Sequence, residues 1–211
     1  MKKLGFLLFL ALMLGIVSGS ALAQGPVGDG STYFVTYYSN AGAVAPSLAK
    51  KSVSTSGAPD GVVRFINDGD TGSDLWAAYY VFDDSQELQE CCACDISADG
   101  VNSEDVNCNL LGNVLTGKAT SKGVIKVISS STSDPTATKP AAGLHGFATH
   151  IQVANPSANG GSGAYFVTEA PFADANLVAS EQAYLGLLCK FAVILGSGRG
   201  TCSCTQEDYD F

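Results

Sequence analysis

LWAAYYVFDDSQELQECCAC, Leu75 to Cys94, is the stretch on which the reading of the fold turns. As a strand, its first half sends Leu75, Ala77, Tyr79 and Val81 to one face and Trp76, Ala78, Tyr80 and Phe82 to the other. Both faces are apolar, which predicts a strand buried on two sides, central in its sheet or lying under another layer. Asp83-Asp84-Ser85-Gln86 supplies short polar side chains that hydrogen-bond their own backbone, the chemistry of a hairpin turn. The return segment then places Leu88, Cys92 and Cys94 on one face and Gln89, Cys91 and Ala93 on the other. SQELQE also suits a helix start capped at Asp84 or Ser85, but the hairpin is preferred.

Outward from this hairpin the chain reads as short strands between turn signals. TYFVTYY at Thr32 to Tyr38, GVVRFI at Gly61 to Ile66, GVIKVIS at Gly123 to Ser129, Leu144 to Ala154 and AYFVT at Ala164 to Thr168 carry the aromatic and β-branched residues of strands. A short strand is also expected near Lys51 to Ser54, and the Gly-rich run Asn159 to Gly163 reads as a turn. SEDV at Ser103 suits a short helix start towards Leu111. Ser130 to Gly143 is a Ser/Thr/Pro-rich loop, long enough to be mobile or to touch a partner. The one strong helix signal is SEQAYLGLLCKFAVIL, Ser180 to Leu195, with Ser180 as N-cap and Gly196 as its stop. Leu185, Leu188, Ala192 and Leu195 fall on one face, and Leu187, Phe191 and Ile194 make the rest apolar too, which predicts a well-buried helix. The expected fold class is mainly β, an antiparallel β-sandwich-like domain with one C-terminal helix, with α+β as the alternative.

The N-terminus reads as a secretory signal peptide over residues 1–23: Lys2 and Lys3, an apolar core from Leu4 to Val17, and Ala21-Leu22-Ala23 as the cleavage site, with cleavage after Ala23. The core is shorter than the roughly 18 apolar residues a membrane anchor needs. The remainder, residues 24–211, is expected to form a single disulfide-stapled domain. Without Lys2 and Lys3 it carries 9 basic and 20 acidic residues, a net charge of −11. That balance disfavours nucleic acid and anionic membrane surfaces as partners, and otherwise favours solubility. A secreted, periplasmic or cell-surface location is the expectation.

Seven cysteines stand in this exported chain. In an oxidising compartment they are expected to pair, with Cys91, Cys92, Cys94, Cys189, Cys202 and Cys204 as the disulfide candidates. Cys108 stands apart from both clusters and is the candidate for a free or intermolecular thiol, leaving a disulfide-linked dimer open. Leaving one out and pairing six allows about 105 arrangements, so spacing alone does not give the connectivity. Proximity suggests Cys189 with Cys202, a modest loop worth about 3 kcal/mol on the chain-entropy model. A bond from the CCxC group to the terminal CxC would close about 100 residues and contribute roughly 4–5 kcal/mol. A bond between Cys91 and Cys92 would be strained, because strand neighbours diverge. No cofactor is expected. The sharper alternative is zinc or an iron–sulfur centre on four thiolates, against which CxC and CC spacing and export both speak.

Signals for catalysis are sparse. His145 and His150, five apart in one strand, point to opposite faces and cannot readily share a ligand, although either alone could act as a base. Asp68, Asp70 and Asp74 in NDGDTGSD offer calcium oxygens, but the EF-hand pattern is missing and a solvated turn explains them. Asp83 with Asp84, or Glu87 with Glu90, would serve glycosidase chemistry only if a cleft gathered them. Gly196 to Gly200 follows a helix instead of leading into one, so a helix-ending turn explains it better than a phosphate loop.

VFDDSQELQECCAC, GVIKVIS, GFATHIQ and the terminal TCSC together resemble a group of exported, cysteine-containing bacterial proteins of no known activity. The resemblance runs from the second strand to the terminus and implies export alone. The functional expectation is a secreted or cell-surface structural or binding module with an unknown extracellular partner, not an enzyme. A cysteine-coordinated metal or redox protein comes second and an extracellular hydrolase third.

Overall fold

A computed structural model of the chain describes residues 32–39, 59–118, 120–153, 165–196 and 198–204. The expected signal peptide, the strand near Lys51 to Ser54, the Gly-rich turn Asn159 to Gly163 and the acidic end after Cys204 lie outside these residues. The strands are β1 (Tyr33–Ser39), β2 (Val62–Asn67), β3 (Leu75–Asp83), β4 (Leu88–Ile96), β5 (Val101–Asp105), β6 (Lys122–Ser130), β7 (Leu144–Val153), β8 (Tyr165–Pro171) and β9 (Ala173–Asp174). One helix, α1 (Ala179–Leu195), follows. The strands form two antiparallel sheets, ordered β4-β3-β6-β1-β9 and β5-β2-β7-β8.

The two apolar faces of β3 have two different partners. Leu75, Ala77, Tyr79 and Val81 face the second sheet, where they join Phe65, Val63, Leu144 and Ala148 in the sandwich core. Ala78, Tyr80 and Phe82 face α1 and meet Leu185, Cys189 and Ala192. The molecule is thus three layers deep, sheet on sheet on helix, with β3 in the middle layer. Phe65 anchors the inter-sheet core, its ring 5.5 Å from Phe34, 5.8 Å from Tyr79 and 4.9 Å from Phe172.

The hairpin turn forms as its polar residues suggest. Asp83 accepts hydrogen bonds from the Ser85 and Glu87 N–H groups through Oδ1 (both 2.9 Å) and from Gln89 Nε2 through Oδ2 (2.7 Å), while Gln86 adopts a left-handed φ of 68°. The facial pattern of the return strand needs one correction. Val81 pairs with Glu90 but Phe82 pairs with Leu88, so Gln89 is an extra residue, a β-bulge. The bulge turns Leu88 to the helix side with Cys91, away from Cys92 and Cys94.

Three further expectations are corrected. Ser103 does not start a helix: it lies in β5 opposite Arg64, and the chain then makes a five-residue π-helical turn, Val106–Leu110. Strand pairing outweighs the local capping signal there. Ser180 is inside α1; Val178 occupies the N-cap position with no side-chain cap. Finally, α1 is not well buried. Leu185, Gly186, Cys189 and Ala192 are covered, whereas Leu187, Phe191 and Ile194 are 51%, 52% and 65% exposed. The sheet covers one side of a helix and nothing among the described residues covers the other.

The Ser/Thr/Pro-rich loop is held against the helix. Gln182 Nε2 donates to the Thr138 carbonyl at 2.7 Å, and the Tyr80 hydroxyl donates to the Pro135 carbonyl at 2.6 Å. A Cβ on Gly186 would lie 2.6 Å from the Thr136 carbonyl oxygen, so glycine permits this close approach. Gly123 in β6 is similarly confined: a Cβ there would strike the Phe82 carbonyl oxygen and stand 2.7 Å from the Tyr38 ring. Because the obstacle is backbone, Gly123→Ala is expected to cost about 3 kcal/mol, read as a lowered urea midpoint. An unchanged midpoint would mean that β6 shifts freely.

Candidate functional site

β4 is the edge of the five-stranded sheet, and its three cysteines tie it to everything that covers that edge. Cys91 bonds Cys189 on α1, Cys92 bonds Cys202, and Cys94 bonds Cys204, with Cα–Cα separations of 5.7, 5.3 and 5.4 Å. The expected pairing of Cys189 with Cys202 is therefore corrected. Alternation along β4 is the reason: Cys91 points to the helix side, where Cys189 lies, while Cys92 and Cys94 point the other way. Gly200 to Cys204 runs parallel to β4. The Cys91 N–H donates to the Gly200 carbonyl (3.0 Å) and the Cys202 N–H to the Cys91 carbonyl (3.3 Å). Gly196 ends α1, its carbonyl accepting the Arg199 N–H at 2.7 Å, and the Gly200 N–H donates to the Asn113 carbonyl at 2.8 Å.

Beside this clamp lies an apolar groove of about 480 Å³, between α1 and the end of the β3–β4 hairpin. Leu88, Leu115, Tyr184, Leu188, Phe191 and Leu195 line it, with Glu87 and Thr116 at the rim. The β-bulge at Gln89 supplies one wall by turning Leu88 outward to the helix. The groove continues into the exposed side of α1, where Tyr184 is 49% and Leu195 70% exposed. Sequence reasoning missed this surface. The signal was present in Leu187, Phe191 and Ile194, which exceed what one sheet face can cover.

Close to the clamp, Glu90 is fully buried in β4. Its Oε1 accepts the Asn113 N–H at 2.6 Å and its Oε2 has no partner among the described residues. Burial pushes its pKa up to about 8, against the smaller opposing effect of the Asn113 N–H, so the carboxyl carries a proton at neutral pH.

The remaining candidates separate. Cys108, in the π-helical turn, is the free cysteine. Its sulfur shares a neighbourhood with Asp60 and Asp105, all within 4.8 Å. Burial and the two carboxylates push its pKa up, so it is kept as a thiol, a poor nucleophile and a poor metal ligand. Asp60 is itself engaged, accepting the Asn107 N–H on both oxygens (3.2 and 3.0 Å). Burial raises its pKa to about 6.

His145 and His150 do lie on opposite faces. His145 Nε2 meets Asp68 Oδ2 at 3.1 Å on the surface. His150 is buried, stacked on Tyr37 at 4.1 Å, with its pKa lowered by burial. Asp68 also accepts the Asp70 N–H at 3.0 Å, and that bond, with His145, holds its carboxyl below the usual range. Asp68, Asp70 and Asp74 do not gather into a ligand group among the described residues. Asp83 and Asp84 both line a cleft of about 480 Å³ with Tyr37, Tyr38 and Lys122. Asp84 pairs with Lys122 at 3.2 Å, however, and both Asp83 oxygens accept from the hairpin itself. Glu90 is buried in the core and does not line the groove with Glu87.

No family model matches this sequence, and no curated protein matches it. Among solved structures the chain is similar to the Anabaena sensory rhodopsin transducer, at 8% identity, with a TM-score of 0.32 over 53% of this chain and 89% of that one. A likeness at that level carries no argument about this protein.

Proposed function

We propose that this chain is an exported, non-enzymatic module of the cell exterior that works by binding through the apolar groove and outer face of α1. The observation that carries the reading is the clamp. Three bridges converge on one strand and fix α1 and the terminal segment around a surface of exposed Leu, Ile, Phe and Tyr. Soluble proteins seldom leave such a contiguous apolar surface unless something docks on it. The leader-like N-terminus, the paired cysteines and the resemblance to exported bacterial proteins support the location. No helix among the described residues is long and apolar enough to cross a membrane.

A metal or redox role is the second reading, favoured by one observation: the Cys92, Cys94 and Cys204 sulfurs lie within 4.8 Å of one another. As reduced thiolates, with Cys202, they would form a set suited to zinc or an iron–sulfur centre. A hydrolase would need a cleft at His145 or His150, and neither lines the groove described above. The test is the mass of the natively exported protein before and after reduction and thiol labelling, with elemental analysis. A deficit of about six hydrogens, one slowly labelled thiol and no metal is the expected result. Reduced thiols with stoichiometric zinc or iron would replace the first reading with the second.

A further inference from the structure

We propose that the outer face of α1 is where a second copy of this chain docks, forming a two-fold, helix-on-helix dimer. The inference rests on the reading of this face as the docking surface and names its partner. Tyr184, Leu187, Phe191 and Ile194 recur at three- and four-residue steps, the seam spacing of paired helices. Together they run along about 15 Å of helix.

The same surface holds two complementary shapes. Leu187 and Ile194 protrude, 51% and 65% exposed, and line no part of the groove. The groove lies along the flank, walled by Leu88, Leu115 and Leu188. A two-fold axis across the face brings the ridge of each copy to the groove of the other, as an isologous contact requires. The extent is adequate as well. Five side chains exposed to between 49% and 70%, with the groove walls, offer roughly 600 Å² per copy. A standard interface uses about 800 Å² per partner, which a polar rim would complete.

Charge selects this occupant over a lipid surface. Lys190 is the single basic residue of α1, whereas interfacial helices carry basic flanks that meet anionic headgroups. The one acidic residue of α1, Glu181, is turned inward, accepting from Lys126 Nζ at 2.6 Å and from the Tyr33 hydroxyl at 2.9 Å. The seam is therefore uncharged, and two acidic copies meet through it with their repulsion kept to the periphery. Added salt screens that repulsion and tightens the dimer.

Sedimentation equilibrium of the exported, disulfide-bonded protein over a wide concentration range tests this. The expected result is a reversible shift to twice the chain mass, enhanced by salt. Leu187→Glu and Ile194→Glu lie outside the covered side of α1 and should fold with all three bridges intact, checked by mass and circular dichroism. Each should weaken the dimer by about thirtyfold or more, while Lys190→Glu changes it little. A wild-type monomer at every concentration, or a dimer indifferent to both variants, overturns the proposal. If the wild type is monomeric but binds Nile red, and Ile194→Glu abolishes that binding, the face still docks something and only the second copy is excluded. A monomer that binds phosphatidylcholine vesicles through the same residues gives the face to lipid, and a monomer that binds neither removes the docking surface as well.

Discussion

Reduction of the three disulfides is expected to remove about 10 kcal/mol of stability, the whole stability of a typical domain, so the reduced chain should unfold at room temperature. The contributions are unequal because the three rings interleave and share most of their length. Cys92 and Cys202 are 110 residues apart, and their bond closes a ring whose chain entropy is worth about 5 kcal/mol. With that ring closed, Cys91–Cys189 closes only about 15 further residues, worth about 3 kcal/mol, and Cys94–Cys204 about 5, worth about 2. Replacing Cys94 and Cys204 together by serine should therefore cost far less than a 110-residue separation suggests. Near-ultraviolet circular dichroism and urea midpoints, with and without a thiol reductant, measure both effects. A reduced protein with a native spectrum and an unchanged midpoint would show that packing alone holds the three layers together.

Stability should also fall as pH rises from about 5 to about 8, on the order of 4 kcal/mol, with Glu90 as the main source. The sign follows from the direction of the shift. The folded pKa, about 8, lies above the ordinary value of 4.5. The contribution is therefore complete below 4.5 and is lost as pH climbs through 8, where folding demands a proton that the unfolded chain has already released. Asp60, raised to about 6, adds to the same trend. Glu90→Gln keeps an acceptor for the Asn113 N–H and has nothing to titrate, so its urea midpoint should vary much less over this range and exceed that of the wild type at pH 8. An equal slope in both proteins would assign the pH dependence elsewhere.

What could be read from the sequence was set by short-range periodicity. Alternation in LWAAYYVF reports two buried faces, and the three layers bear that out. It does not report what the second face meets. The expectation of an enclosed helix rests on the apolar circumference of SEQAYLGLLCKFAVIL alone. A pattern apolar all round fixes neither the number of covering layers nor which side they take. The bulge at Gln89 is one extra residue in one strand, invisible to alternation yet decisive for Leu88 and so for the groove. Cysteine spacing failed in a related way. Cys189 and Cys202 are near in sequence, but the alternating faces of β4 send Cys91 and Cys92 to different partners. Glu90 reads as an ordinary hairpin carboxylate until the segment around Asn113 is placed over it.

The parallel course of Gly200 to Cys204 beside β4 bears on the order in which the protein matures. When the chain is delivered N-terminus first, all three cysteines of the hairpin reach an oxidising compartment about 100 residues ahead of their partners. Through that interval Cys91, Cys92 and Cys94 have only one another and Cys108 to react with. A hairpin folded early sends Cys91 and Cys92 to opposite faces and keeps them from a vicinal bond. The β4 edge of the first sheet also stays uncovered until Gly200 to Cys204 arrives. Gly200 to Cys204 thus acts as the latch of the assembly, and truncation just before Cys202 would leave an open strand edge and two unmatched thiols.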